Sequence, residues 1–349
     1  MIWSTFCIWK ASTNTHQLRA LDYVFALPLL CLTVLRGDVG TDTDNYLANV
    51  QGVIQWGSQS STGDEVGYVF LVRFLAIFTS SPRMIVAVIS LRAALLFFAM
   101  LYLWENRQCF YSLIFVPLFF FSLTMNTLRI GIAFPLVAIS VLQLEKRHYA
   151  KFCIYALLAI SMQMTTIILL PMLLLARQGA QDPGKWVTYR YLKKVLYALI
   201  LGAPLLYLGY NIFEERIISK LVLYYLESAY SHEGMSGTFP LFTSFVCCLV
   251  AIWFSEKKNR YLGLIFFIIQ AVFYGVTTMS YAGIRLQTMA LFAQILALSY
   301  WAKRPVGRIH FATVILLFCL AVSGMIQNFI ASDSQPYAFT PYQFFWESQ

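Results

Sequence analysis

The most distinctive stretch of the chain for chemistry is Arg36-Gly37-Asp38-Val39-Gly40-Thr41-Asp42-Thr43-Asp44-Asn45-Tyr46. Asp42 can serve as a general base or orient an acceptor hydroxyl. Two glycines let the backbone bend just after a long apolar run. A structural role competes for the same residues. Thr41 followed by Asp44 matches a capping box, and Tyr46, Leu47, Val50, Val53 and Ile54 fall on one helical face. The acidic run does not fit an EF-hand calcium loop, because Tyr46 stands at its fifth position.

Arginines supply the second kind of chemistry. Arg36, Arg83, Arg129 and Arg285 each stand at the end of an apolar run. A planar guanidinium fork grips phosphate oxygens in bidentate fashion. A lone arginine at such a place snorkels to lipid headgroups, whereas Arg36, Arg129 and Arg285 together read as an anion site. Arg92 lies nine residues beyond Arg83, so about 13 Å deeper along a helix. At that depth it either pairs within the bundle or lines a hydrated cavity. Glu65, in Glu65-Val66-Gly67-Tyr68, has three possible roles: neutralising an arginine, capping a helix or acting as a base.

The elements that must position these groups are membrane helices. Of 349 residues, 59% are hydrophobic and 12% charged, too little charge to cover a soluble surface, and apolar runs of spanning length recur throughout. The net charge of +9 is a matter of orientation rather than a nucleic-acid footprint: short basic stretches, holding 17 of the 25 Lys and Arg, alternate with acidic ones. Positive-inside logic places the N-terminus in the cytoplasm. It also predicts eleven spans (ten to twelve) near 20–35, 83–104, 110–124, 128–145, 150–162, 164–177, 194–211, 239–255, 261–279, 284–301 and 309–330. The single domain 1–349 then has external segments 36–82 and 211–238, the latter with a helix over Glu214 to Tyr230. Two places resist a simple count. Glu65 to Ser80, interrupted by Arg73, reads as an interfacial or re-entrant helix. The run 150–177 has basic clusters at both ends, so it reads as two short helices with Gln163 near their external tip; a single crossing is the alternative.

Seven cysteines show no CxxC or Cys/His spacing, so no metal site or disulfide framework is expected. Met1 to Trp9 is too short for a cleavable signal and lacks a basic start. His16, His148 and His310 sit at basic inner ends and only His232 lies outside; Ser/His/Asp order, GxSxG, P-loop and GxGxxG motifs are missing.

The order Arg36 … Gly40-Thr41-Asp42 … Tyr46, then Glu65-x-Gly67-Tyr68, then Asn126-Thr127-Leu128-Arg129 with Ala133, and later an external Arg285, resembles the EpsG family of Wzy-like polysaccharide polymerases. Two departures stand out. The region before the Arg36 motif is too short for a further span, and Met162-Gln163-Met164-Thr165 carries glutamine where the family often has histidine. The resemblance implies an all-α, glycosyltransferase-C-like enzyme of the bacterial inner membrane. Such an enzyme extends lipopolysaccharide O-antigen or a similar surface glycan at the periplasmic face, with no cofactor or metal. Its partners would be undecaprenyl-diphosphate-linked oligosaccharides, membrane lipids and a chain-length regulator. On that reading Arg36, Arg129 and Arg285 bind the diphosphate. Asp42 is the first candidate base and Glu65 the next, while Arg92, Arg83, Tyr46 and Gln163 form a secondary substrate-binding set. The rival readings are a flippase or transporter of lipid-linked oligosaccharides, a glycan acyltransferase and a ligase using the same donor.

Overall fold

The computed structural model describes residues 2–12, 20–40, 42–56, 65–104, 109–178, 237–254, 257–277, 282–301, 316, 318–326 and 342–347. Outside them lie Thr41, the expected span 194–211, the expected helix over Glu214 to Tyr230, His16, His232, His310 and most of the expected span 309–330.

Helices make up the described chain: α1 (Ile2–Ser12), a 3-10 turn (Ala20–Ala26) running into α2 (Leu27–Val34), α3 (Thr43–Trp56), α4 (Val66–Ala76), α5 (Pro82–Leu103), α6 (Cys109–Phe115), α7 (Leu128–Glu145), α8 (Tyr149–Met162), α9 (Thr166–Gln178), α10 (Thr238–Phe254), α11 (Lys257–Thr277) and α12 (Ala282–Trp301). Within these, Pro82–Leu103, Leu128–Glu145 and Arg260–Thr277 are long and apolar enough to cross a membrane; the other apolar stretches, Gly283–Leu298 within α12 among them, are shorter. The chain is a membrane protein by that measure, and among the described residues hydropathy anticipates the bounds of α5 and of α7 to α12 within a few residues.

Local sequence explains the irregular elements. Pro82 opens α5 at the first turn, where its missing N–H costs nothing. After α6 the chain continues through two wider π-type turns, Val116–Phe120 and Ser122–Asn126, the first containing Pro117. There α7 approaches so closely that a Cβ on Gly131 would stand 1.9 Å from the Leu123 carbonyl oxygen, so only glycine fits. The core is built on rings: Phe97, Phe115, Phe120, Phe134 and Phe292 are fully buried, with Phe134 and Phe292 centroids 5.1 Å apart. Around it α7 packs on α5, α8 and α9, while α10, α11 and α12 form a mutually packed trio joined to the rest where α12 meets α9 and where Phe292 meets Phe115, Phe119 and Phe134.

The run 150–177 is broken at Gln163, whose extended backbone (φ −153°, ψ 107°) ends α8 before α9 begins at Thr166. The helix α7 runs away from its N-terminal Arg129 and α8 returns beside it. Because α9 also packs along α7 and α12, it turns back into the bundle rather than continuing outward. Two helices with Gln163 at their shared tip is thus the observed form.

At 11 residues, α4 is about 16 Å long, roughly half the thickness of a hydrocarbon core. Tyr68, Leu71, Val72 and Leu75 face inward, and Phe70, Phe74, Ile77 and Phe78 are exposed. A short helix apolar on both faces suits one seated in lipid against protein.

Three features depart from expectation. The first residues form α1, which packs on α6 and carries a buried Lys10–Asp22 ion pair. Among the described residues Arg92 neither pairs inside the bundle nor lines a cavity: it is exposed on the flank of α5, beside the buried face of Ile89, Ala93 and Phe97. The C-terminal residues 342–347 fold back on the end of α2. Gly37 N–H donates to the Gln343 carbonyl (2.7 Å), Phe345 N–H to Leu35 (3.0 Å) and the Tyr342 hydroxyl to Leu32 (2.6 Å).

Candidate functional site

The site is assembled where helix ends meet. A cleft of ≈ 180 Å³ is lined by Asp42 in the turn before α3, by Asn45, Tyr46 and Asn49 of α3, by Thr127, Arg129 and Ile130 at the start of α7, by Gln163 at the α8–α9 break and by Arg285 at the start of α12. Gly40 delivers Asp42 to it. The Gly40 backbone turns through φ +105°, and a Cβ there would meet Asn126 Oδ1 at 2.6 Å. Both facts require glycine. The Thr43 hydroxyl then closes the turn on the Val39 carbonyl (2.6 Å) and α3 begins. Along α3, Tyr46, Val50 and Val53 are buried, with Leu47 and Ile54 packed against the core, as the apolar periodicity requires.

Arg129 is held from three sides. Its guanidinium donates to Glu65 Oε2 at 2.7 Å, lies 5.3 Å from the centroid of the fully buried Tyr68 ring, and hydrogen-bonds the oxygen of buried Tyr46. The Tyr46 and Tyr68 rings meet edge-on at 6.2 Å. A close approach makes this possible: Gly67 sits so near the backbone of Ser161 that a Cβ would be 2.4 Å from its hydroxyl, seating α4 on α8. Of the three roles open to Glu65, the geometry shows pairing with an arginine. Its side chain makes no capping hydrogen bond and is absent from the cleft lining.

Charge in the cleft is balanced by burial. Desolvation raises the Asp42 carboxyl above the usual carboxylate range, while Arg285 and then Arg129 pull it back. Burial likewise raises the Tyr46 phenol, opposed by Arg129. Asp42 is therefore a carboxylate of increased basicity next to two fixed cations, an arrangement suited to taking a proton from a hydroxyl beside a bound anion. Gln163, 4% exposed, gives its amide N–H to the Thr165 hydroxyl (3.1 Å), and its backbone carbonyl accepts from the Thr166 hydroxyl (2.6 Å).

The structure brings together Asp42, Tyr46, Arg129, Gln163 and Arg285, with Glu65 directly behind. It does not bring Arg36, Arg83 or Arg92 to the cleft. Arg36 is 4% exposed and spends its guanidinium on the Met125 carbonyl and on the Ser90 hydroxyl (3.3 Å), tying α2 to α5 and to the chain before α7. Burial lowers its ionisation to about 10, opposed by Tyr46 and Tyr342, so it is still cationic at neutral pH. Tyr342, beside it in the C-terminal segment, is pushed up to about 12 by burial. Arg83 pairs with Asp38 at 2.7 Å on the surface. Replacing Arg36 with methionine should therefore lower the thermal midpoint of the detergent-solubilised protein. A stranded buried carbonyl costs about 1–3 kcal/mol. Donor affinity of the surviving folded fraction should be unchanged in a ligand-binding titration.

Sequence reasoning passes over Asn45, Asn49 and Thr127. A signal is present: 42, 45 and 49 follow helical i, i+3, i+7 spacing, a polar stripe beside the apolar one. Thr127 lies inside the Asn126–Arg129 motif.

Apolar helices of spanning length, bundled so that their ends surround a cleft with two arginines and a basic carboxylate, define a helical membrane protein with a charged site at one end of the bundle. Within that class the chain belongs to the EpsG family, whose model matches residues 19–344 of 349. Membership suggests a Wzy-like polysaccharide polymerase or a related membrane protein. No curated protein and no solved structure matches the chain.

Proposed function

We propose that the protein polymerises a surface glycan of the O-antigen type from oligosaccharide repeats carried on undecaprenyl diphosphate. It would work at the periplasmic face of the bacterial inner membrane, as a glycosyltransferase-C-like enzyme of about eleven spans. The observation that carries this reading is the meeting of Asp42 with Arg129 and Arg285 around one cleft. In the reaction, the bond between the donor's reducing-end sugar and its diphosphate breaks. The acceptor hydroxyl forms the new glycosidic bond and passes its proton to Asp42, and undecaprenyl diphosphate leaves with the charge held by Arg129 and Arg285. Preorganised guanidinium groups stabilise such a leaving group without reorganisation. Glu65, Tyr68 and Tyr46 act through Arg129 by fixing its fork; Arg36 acts through the backbone that presents Asp42.

A carrier places its substrate site near the membrane midplane between related halves, whereas this cleft is built from helix termini. Deleting the gene should leave cells with glycan of a single repeat and no ladder, restored by the wild-type chain. Trapping of repeats on the cytoplasmic side would instead favour a flippase, and loss of glycan acylation with an intact ladder an acyltransferase.

A further inference from the structure

The cleft holds two kinds of polar group. Arg129 and Arg285 answer an anion, but the α3 wall offers the neutral amides of Asn45 and Asn49 in line with Asp42. An amide carries donors on nitrogen and an acceptor on oxygen. It suits hydroxyl groups, which also give and take a hydrogen bond, better than an all-acceptor diphosphate. Asp42 and Asn49 are seven residues apart and so nearly superimposed on the helix face, about 10 Å apart along it. That is room for a sugar or two laid along α3 with one hydroxyl at the carboxylate. Tyr46, between them, is turned to Arg129 and Tyr68, and Asn45 and Asn49 bring the amide groups to this wall.

We infer that Asn45 and Asn49 form the acceptor-sugar subsite and set which non-reducing-end sugar is extended. This rests on the polymerase reading and adds to it the division of the cleft into a cationic donor side and an amide acceptor side. Once an acceptor covers them, amides that bond substrate hydroxyls discriminate strongly, because an analogue lacking the hydroxyl leaves them unpaired.

The test uses the full chain in lipid nanodiscs. The donor is lipid-linked repeat extracted from polymerase-deficient cells, and the acceptor a soluble oligosaccharide bearing the repeat's non-reducing end, with its monodeoxy analogues. Asn45→Ala and Asn49→Ala should each raise acceptor KM about tenfold, leave donor KM and kcat within about threefold, and discriminate less against one monodeoxy acceptor than the wild type does. Wild-type catalysis with unchanged acceptor KM in both variants overturns the inference alone. So does a parallel rise in donor and acceptor KM with a lowered thermal midpoint, the mark of a merely structural role. Absence of any glycosidic bond with the wild-type chain would overturn the polymerase reading and the inference with it.

Discussion

Replacing Arg129 with alanine should lower polymerisation by about 10²–10³-fold, the typical loss when one preorganised transition-state donor is removed. Folded protein should fall as well, because the Glu65 carboxylate, only 6% exposed as a side chain, is left without its cation. Uncompensated buried charges of this sort cost about 3–5 kcal/mol. The two effects separate in a double variant. Glu65→Gln in the Arg129→Ala background should recover protein level and thermal midpoint but not the glycan ladder, because the glutamine neutralises the stranded charge without supplying a cation. Arg129→Lys should fall between, since the ammonium retains charge but not the planar fork that bonds Glu65 and faces Tyr68 together. Recovery of the ladder in the double variant would show that Arg129 serves only to neutralise Glu65. The checks are glycan electrophoresis alongside quantified membrane protein.

Asp42→Asn should behave in the opposite way on stability. Removal of a general base lowers the rate by about 10²–10⁴-fold, and the amide fills the same space. The sign follows from proton binding. A carboxyl whose folded pKa is raised holds its proton more tightly folded than unfolded, so its contribution to stability falls as pH rises from the unfolded value through the folded one. At neutral pH the ionised Asp42 is therefore a cost to the fold, offset in part by Arg285 and Arg129, and its neutral isostere should leave the thermal midpoint unchanged or raised. The wild-type rate should drop as pH falls through the raised Asp42 pKa, and the residual activity of the asparagine variant should lack that limb. A pH–rate series on both proteins, paired with melts at neutral pH, reads the two effects.

Much of the architecture is legible in the amino-acid sequence. Hydropathy locates α5, α7, α8, α9, α10, α11 and α12 because their lengths and apolar runs are properties of the chain itself. The basic clusters at both ends of 150–177 anticipate the turn at Gln163, since charge bias constrains each end of a hydrophobic run separately. The glycines of the Arg36 motif imply a bend, and Gly40 provides it through its positive φ. What is not legible are the azimuths and the long-range partners. Nothing in the neighbourhood of Arg36 says that its fork meets the carbonyl of Met125, 89 positions away, so a buried strut and a phosphate clamp look alike in sequence. Arg92 gives the same lesson: depth along a helix follows from spacing, but the face that turns outward follows from the packing of α5 against α7 and α2. Glu65 and Arg129, 64 residues apart, each read as functional in sequence, yet nothing there pairs them. Residues 342–347 carry no periodic signal, and two of the three hydrogen bonds that seat them on α2 are backbone bonds indifferent to side-chain type, the third coming from the Tyr342 hydroxyl.

The central claim is that the cleft around Asp42, Arg129 and Arg285 joins lipid-linked repeats. Purified protein in liposomes, supplied with the undecaprenyl-diphosphate-linked repeat alone, provides the most direct measurement: the glycosidic bonds formed and the undecaprenyl diphosphate released in the same tube. The account predicts one released carrier per bond and a ladder of products, both lost in Asp42→Asn and in Arg129→Ala/Arg285→Ala. A wild-type chain that forms no bonds, or a ladder that persists in those variants, would contradict it.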